Sequence, residues 1–200
     1  MLNKIQKLLW IIAASCWALA AFAADPDAEM QAGLEAWQAG DMIGAMKHYH
    51  VAAEAGIALA QAKLGYIYDR SNDDEQAVRW YRAAAEQQHP DGEFGLGEMY
   101  SKGEGVEQDF DIAVEMYMRA AVGGHAQARR VLANAYEHGS LDREVSHAEA
   151  LRWLTLAANS GDINAMRRMA SLYRDGGLCV KPDPVIADEW QARADAAKAP

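Results

Sequence analysis

Small and apolar side chains recur along the chain in two series that keep step with each other. In one series, each stretch ends in a tyrosine, and these tyrosines are 32, 36 and 37 residues apart. In the other series, each stretch begins with an alanine, and these alanines are 32, 36, 37 and 37 residues apart. The tyrosines are Tyr68, Tyr100, Tyr136 and Tyr173, and the alanines are Ala45, Ala77, Ala113, Ala150 and Ala187. Two landmark series with a shared spacing indicate an internal repeat.

Each repeat predicts two amphipathic helices. In the first helix, small and apolar residues stand at relative positions 0, 4, 5 and 8, which lie within about 140° of one another on a helical wheel. Ala60, Leu64, Gly65 and Tyr68 form one such set. The second helix places apolar residues at i, i+3, i+4 and i+7. The small residues at positions 0 and 5 should let a neighbouring helix approach closely.

Capping residues mark the expected helix ends. Asp109 and the pair Asp183-Pro184 stand where second helices should begin. Glycines follow the second helices, where a positive φ is expected, at Gly56, Gly123, Gly124 and Gly161. No helix pair could bury its apolar face alone, whereas stacked pairs form a continuous core. The pattern therefore predicts an all-α protein, an α/α solenoid (superhelix) of about five antiparallel helix pairs.

Residues 92–124 carry the fullest version of a recognisable motif. Its landmarks are Leu96-Gly97, Tyr100, Gly103, Gly105, Val106, Asp109, Ala113, Tyr117 and Ala120-Ala121. This motif resembles the Sel-one-like repeat (SLR) family, a relative of the tetratricopeptide repeats. The resemblance divides the chain into a divergent N-terminal helix pair (24–56), three repeats (57–89, 90–125 and 126–162) and a C-terminal capping repeat (163–200).

The first 23 residues have the pattern of a secretory signal peptide. Lys4 and Lys7 precede an apolar run from Leu8 to about Ala20, and residues 21–23 form a small-x-small cleavage site. We expect cleavage after Ala23, a periplasmic or secreted protein, and no membrane span after cleavage. An uncleaved N-terminal anchor is the alternative.

Charge narrows the class of partner. The formal net charge is −10 and the pI is near 5.0, which argues against a nucleic-acid partner because too few Lys and Arg are present to neutralise phosphates. The acids are unevenly placed, with 18 acids and 6 bases in residues 24–112 but 11 of each in residues 113–200. The C-terminal half should therefore tolerate an acidic partner better than the N-terminal half.

Catalytic and metal-binding patterns are missing from the sequence. It contains no Ser-x-x-Lys, no His-Glu-x-x-His and no phosphate-binding glycine loop. A cysteine-rich branch of the SLR family is linked to β-lactam binding and hydrolysis, but this chain lacks the cysteine pairs of that branch. We expect no catalytic residues, no metal site, no cofactor and no enzymatic activity.

The outward row of the first helices is the expected binding surface. Positions 2 and 6 of each first helix should point away from the core, and in tetratricopeptide-like arrays the first helices line a concave groove. The row reads Ala62 and Tyr66, Phe94 and Glu98, Arg130 and Asn134, Arg167 and Ser171. We expect Tyr66 and Phe94 to anchor an extended peptide while Arg130 and Arg167 pair with an acidic group on it. The alternative is that both arginines are solvated or pair locally.

The sequence therefore predicts a non-enzymatic scaffold or adaptor of the bacterial cell envelope that binds a protein or peptide on its concave helix face. Two alternatives stay open. One is an envelope hydrolase acting on cell-wall or β-lactam substrates. The other is a structural component of an envelope assembly, such as a flagellar motor or a polysaccharide exporter.

Overall fold

The computed structural model describes residues 25–197, and ten α-helices make up most of that range. They are α1 (Pro26–Gln38), α2 (Met42–Glu54), α3 (Ala58–Arg70), α4 (Asp74–Glu86), α5 (Pro90–Lys102), α6 (Phe110–Val122), α7 (Ala126–His138), α8 (His147–Asn159), α9 (Ile163–Asp175) and α10 (Pro184–Ala196). The all-α prediction is confirmed. The expected signal segment 1–23 and the final residues 198–200 of the expected cap lie outside the described residues.

The chain divides into two compact units, one ending at Ile57 and the other beginning at Ala58. In the first unit α1 packs against α2. In the second unit α3 packs against α4, α5 against α6, α7 against α8 and α9 against α10, and each pair also packs against the next. Packing between neighbours in sequence is the arrangement of a solenoid, as the repeat spacing predicts.

Side-chain caps fix where the helices begin. Asp109 Oδ1 accepts the backbone N–H groups of Asp111 and Ile112 at 2.9 and 3.0 Å, and Asp183 caps α10 in the same way. The expectation of a positive φ at Gly123 is wrong, because this residue caps the C-terminus of α6 with helical backbone angles and has a φ of −67°. The left-handed residue there is Gly124, with φ of 103°.

A tyrosine from each early second helix packs against a glycine of the preceding first helix. A Cβ built on Gly65 would lie 2.5 Å from the ring of Tyr81, and one on Gly97 would lie 2.9 Å from the ring of Tyr117. In the first unit, Gly33 meets the ring of Tyr49 in the same way. The close approach expected at position 5 is confirmed, and its physical reason is a buried ring that occupies the space of the missing side chain.

Long polar side chains are also buried, at a position of the first helices that the sequence pattern left unassigned. Position 1 lies at about 100° on the helical wheel, inside the apolar arc. It is occupied by Gln61, Glu93 and Arg129, all at most 7% exposed. Gln61 accepts a hydrogen bond from Gln87 at 2.8 Å, and Glu93 pairs with Arg119 at 2.9 Å.

Arg129 connects two helix ends. Its Nε donates to the carbonyl of Ala121 at 2.9 Å, and its Nη1 donates to Ser160 Oγ. Ala121 lies in the last turn of α6 and Ser160 directly follows α8. A cation is favoured at both places because carbonyl groups at the end of a helix carry partial negative charge.

We expect Gly65→Ala to destabilise the protein by about 1–3 kcal/mol, because the new methyl group would overlap the ring of Tyr81. The sign is diagnostic, since replacing glycine by alanine inside an ordinary helix stabilises it by roughly 1 kcal/mol. Urea unfolding followed by circular dichroism measures the change. In the background of Tyr81→Leu the same substitution should cost less, and an equal cost in both backgrounds would contradict the packing argument.

Candidate functional site

A cavity of about 420 Å³ opens on the first-helix side of the second unit. Its walls come from α3, from α5 and from the start of α7, with one residue from α4. The lining residues are Ala62, Lys63, Tyr66, Tyr81, Asp91, Phe94, Gly95, Glu98, His125 and Gln127. The structure thus brings three of the seven residues expected to bind a partner, Tyr66, Phe94 and Glu98, to one cavity.

The two aromatic residues of the expected groove lie in different environments. Tyr66 is 42% exposed, so it points away from the core, and it lines the cavity. Phe94 is only 7% exposed, so the expectation that it points away from the core is wrong, and the same holds for Ala62. The reason is that α3 and α5 pack directly against each other, which extends the buried arc to position 2 in these two helices.

Phe94 and His125 together form a wall of the cavity. The ring of Phe94 stacks on His125 with centroids 4.2 Å apart and meets Tyr117 at 5.5 Å in a tilted arrangement. His125 also caps α7, because its Nδ1 accepts the backbone N–H of Ala128 at 3.2 Å. The neutral ring therefore carries its proton on Nε2, which lies 3.8 Å from Asp91 Oδ1.

Tyr81 is a cavity residue that the sequence pattern assigned only to the helix core. It comes from α4, is 4% exposed, and runs its ring between Gly65 and Gly95. Burial raises the pKa of the Tyr81 phenol, and the carboxylates of Asp69, Glu98 and Asp91 raise it further. The hydroxyl therefore stays protonated at neutral pH. One feature of the sequence could have indicated this role of Tyr81. Gly95 occupies the position at which the first helices of the other three repeats carry Lys63, Val131 and Arg168.

Burial also shifts the titration of the charged groups around the cavity. It raises the pKa of Glu98, an effect that Lys102 opposes and that Asp69 and Glu104 add to. Burial lowers the pKa of His125, which Asp91 opposes and Arg130 reinforces. At neutral pH the histidine is neutral, and the two carboxylates of the lining, Asp91 and Glu98, face one lysine, Lys63.

The cationic half of the expected row does not line this cavity. Arg130 pairs with Asp162 at 3.0 Å, so it has an acidic partner within the chain, although that partner lies 32 residues away and not nearby in the sequence. Asn134 is exposed and Arg167 is half-buried. Ser171 Oγ donates to Asp175 Oδ2 of its own helix at 3.3 Å. The row therefore separates into an aromatic and acidic cavity and a polar stretch along α7 and α9.

Residues 25–197 contain no group of three or more His, Cys, Asp or Glu side chains arranged to hold a metal ion. Within the same residues, none of the helices combines the length and the apolar character needed to cross a lipid bilayer.

We expect Asp91→Asn to lower the pKa of His125 and Arg130→Gln to raise it. The first change removes a carboxylate that favours the imidazolium ion, and the second removes a cation that opposes it. An NMR titration of the His125 ring measures both shifts. Asp188→Asn on α10 removes a charge from a highly exposed acid and serves as the control. Shifts in the same direction for Asp91→Asn and Arg130→Gln would contradict the described geometry.

Comparison with known proteins identifies the repeats. A sequence model described as Sel1 repeat matches the chain four times, over residues 58–89, 90–125, 126–162 and 163–190. The crystal structure of a Sel1 repeat protein from Oxalobacter formigenes is 30% identical in sequence and superposes with a TM-score of 0.75. That superposition covers 92% of this chain and 76% of the other.

Curated relatives match over part of their own length. An uncharacterised protein of Neisseria meningitidis serogroup B is 30% identical over 69% of this chain and 28% of its own length. An exopolysaccharide production negative regulator of Rhizobium leguminosarum bv. viciae is 34% identical over 66% of this chain and 54% of its own length. The chain thus spans about a quarter of one relative and about half of the other.

Proposed function

The chain belongs to the Sel1 repeat family, whose members generally mediate protein–protein interactions, and we propose that it is a non-enzymatic scaffold or adaptor of the bacterial cell envelope. Its ligand is a protein or a peptide held on the first-helix side of the second unit. This side corresponds to the concave face of related helical arrays.

The cavity at Tyr66 is the observation that carries the proposal. It combines an exposed tyrosine, a buried phenylalanine wall and half-buried polar groups, which is the composition of a pocket that receives an anchoring side chain. Tyr66 and Glu98 are the residues that the partner contacts there, while Phe94 shapes the wall. Arg130, Asn134, Arg167 and Ser171 continue the same row and contact a more distant part of the partner.

The non-enzymatic role and the location draw on different support. The relative from Rhizobium leguminosarum is named as a regulator, which favours control of another protein over catalysis. The envelope location is supported by residues 1–23, where Lys4 and Lys7 precede an apolar run and a small-x-small site.

Site-specific photo-crosslinking tests the binding face. The full chain, produced in a bacterial host, carries a benzophenone amino acid in place of Tyr66 or, as a matched control, in place of Val122. Val122 is 76% exposed and lies on a second helix, α6. We expect a discrete protein adduct at Tyr66 and none at Val122, because only the first-helix side contacts the partner. Equal adducts at both positions, or none at Tyr66, would count against the proposal.

Cell fractionation and mass spectrometry of the full chain test the location. We expect the protein in the periplasmic fraction or the medium, shortened by residues 1–23. Ala23→Leu should block the cleavage, since the site requires a small residue there. Phe22→Leu is the control and should be processed normally, because the middle position of the site tolerates large side chains. Full-length protein in the cytoplasm for the native sequence would overturn the envelope assignment.

A further inference from the structure

We propose that the cavity between α3, α5 and α7 receives an arginine side chain of the partner protein. The inference depends on the proposed function and names the chemistry that the same face recognises. Three features of the cavity lead to it. They are a carboxylate that forms no ion pair, the hydroxyl of a buried tyrosine that makes no hydrogen bond with the described residues, and aromatic walls.

Glu98 supplies the carboxylate. It is half-buried at the cavity, and its side chain forms no ion pair or hydrogen bond with any residue between 25 and 197. Lys102, whose charge acts on Glu98, forms its ion pair with Glu104 instead, at 3.2 Å. A partly desolvated carboxylate is stabilised by an opposite charge, and a cation entering the cavity supplies one.

Asp91 adds a second negative charge on the lining. Its neighbour His125 lies 3.8 Å away but is neutral at neutral pH, so it does not balance that charge. Lys63 is the single base among the lining residues, against these two acids. On a larger scale, residues 24–112 carry 18 acids and 6 bases, so the surrounding sequence attracts cationic segments.

Tyr81 supplies the hydroxyl. The residue is 4% exposed, and its hydroxyl makes no hydrogen bond with the described part of the chain. The ring passes Gly65 and then Gly95, which itself lines the cavity, so the hydroxyl end faces the open space. A phenol that stays protonated can accept an N–H from a ligand, and a guanidinium offers five such donors.

The aromatic walls favour arginine over lysine. Tyr66 stands exposed at the cavity and Phe94 forms part of its wall. A planar guanidinium stacks on such rings and loses its weak hydration shell more readily than an ammonium does. A guanidinium also carries several N–H groups in a fixed fork. One of them can donate to the Glu98 carboxylate while another donates to the Tyr81 hydroxyl.

Peptide titration of the full chain tests this inference. The probe is an acetylated, amidated nonapeptide of glycine and serine with one central arginine, and its counterparts carry citrulline or lysine at that position. Citrulline keeps the shape of arginine without the charge. Binding is followed by NMR on ¹⁵N-labelled protein, at the amide signals of Tyr66 and Gly95. We expect the arginine peptide to bind about tenfold more tightly than the citrulline peptide, and more tightly than the lysine peptide.

Variants connect the binding to the named groups. Glu98→Gln should lower the affinity for the arginine peptide about fivefold or more and leave the citrulline peptide unchanged. Tyr81→Phe should weaken arginine binding without unfolding the protein, because it keeps the buried ring. Glu107→Gln removes an exposed acid of the loop between α5 and α6 and should change nothing. Circular dichroism confirms that each variant is folded.

The outcomes separate this inference from the proposed function. Equal binding of arginine and citrulline peptides, tighter binding of lysine, or no effect of Glu98→Gln overturns the arginine site. If a protein adduct still forms at Tyr66 in that case, the scaffold function stands and its ligand chemistry is different. If the arginine peptide binds but no adduct forms at Tyr66, the cavity recognises the guanidinium and the scaffold proposal fails.

Discussion

The contact between a second-helix tyrosine and a first-helix glycine determines how closely the paired helices lie. In the pair formed by α3 and α4, the ring of Tyr81 occupies the space that a side chain at Gly65 would need. Such a contact works only when one partner is small and the other large, because a protein interior leaves no room for both. Gly97 and Tyr117 repeat the arrangement in the next pair, where burial raises the pKa of Tyr117 to about 12. Later pairs replace the glycine with Ala133 and Ala170.

The same contact builds the candidate site. Because Tyr81 passes between the two first helices rather than stopping at its own partner, its hydroxyl emerges on the first-helix side. A residue of the second-helix core thereby becomes a polar group of the cavity. The direct packing of α3 against α5 buries Phe94 as well. The phenylalanine ring then stacks on His125, which caps the N-terminus of α7. Core packing and site geometry are therefore one arrangement in this part of the chain.

The helices and part of the candidate site could be predicted from the sequence alone. A helical period with small residues at fixed positions, together with caps such as Asp109, predicts the ten described helices because these signals are local. Tyr66 and Glu98 were found because they lie on the outward side of their own helices. Arg130 and its partner were not predictable, since Asp162 lies 32 residues away and becomes a neighbour only when pairs stack. The buried Glu93 was missed for a related reason, because its pairing with Arg119 hides a charge inside an apolar arc.

A departure from the repeat at one position allows Tyr81 to reach the cavity. At position 3 of the first helix, three repeats carry a long or branched side chain, namely Lys63, Val131 and Arg168, while the second has Gly95. A Cβ at Gly95 would overlap the ring of Tyr81, so that glycine is required for the tyrosine to reach across. Glycine inside a helix costs roughly 1 kcal/mol relative to alanine. In return, the ring of Tyr81 reaches the cavity of about 420 Å³, which Gly95 lines together with Lys63 from the same position of α3. The missing side chain at position 3 of α5 thus allows a tyrosine of the second-helix core to line the candidate site.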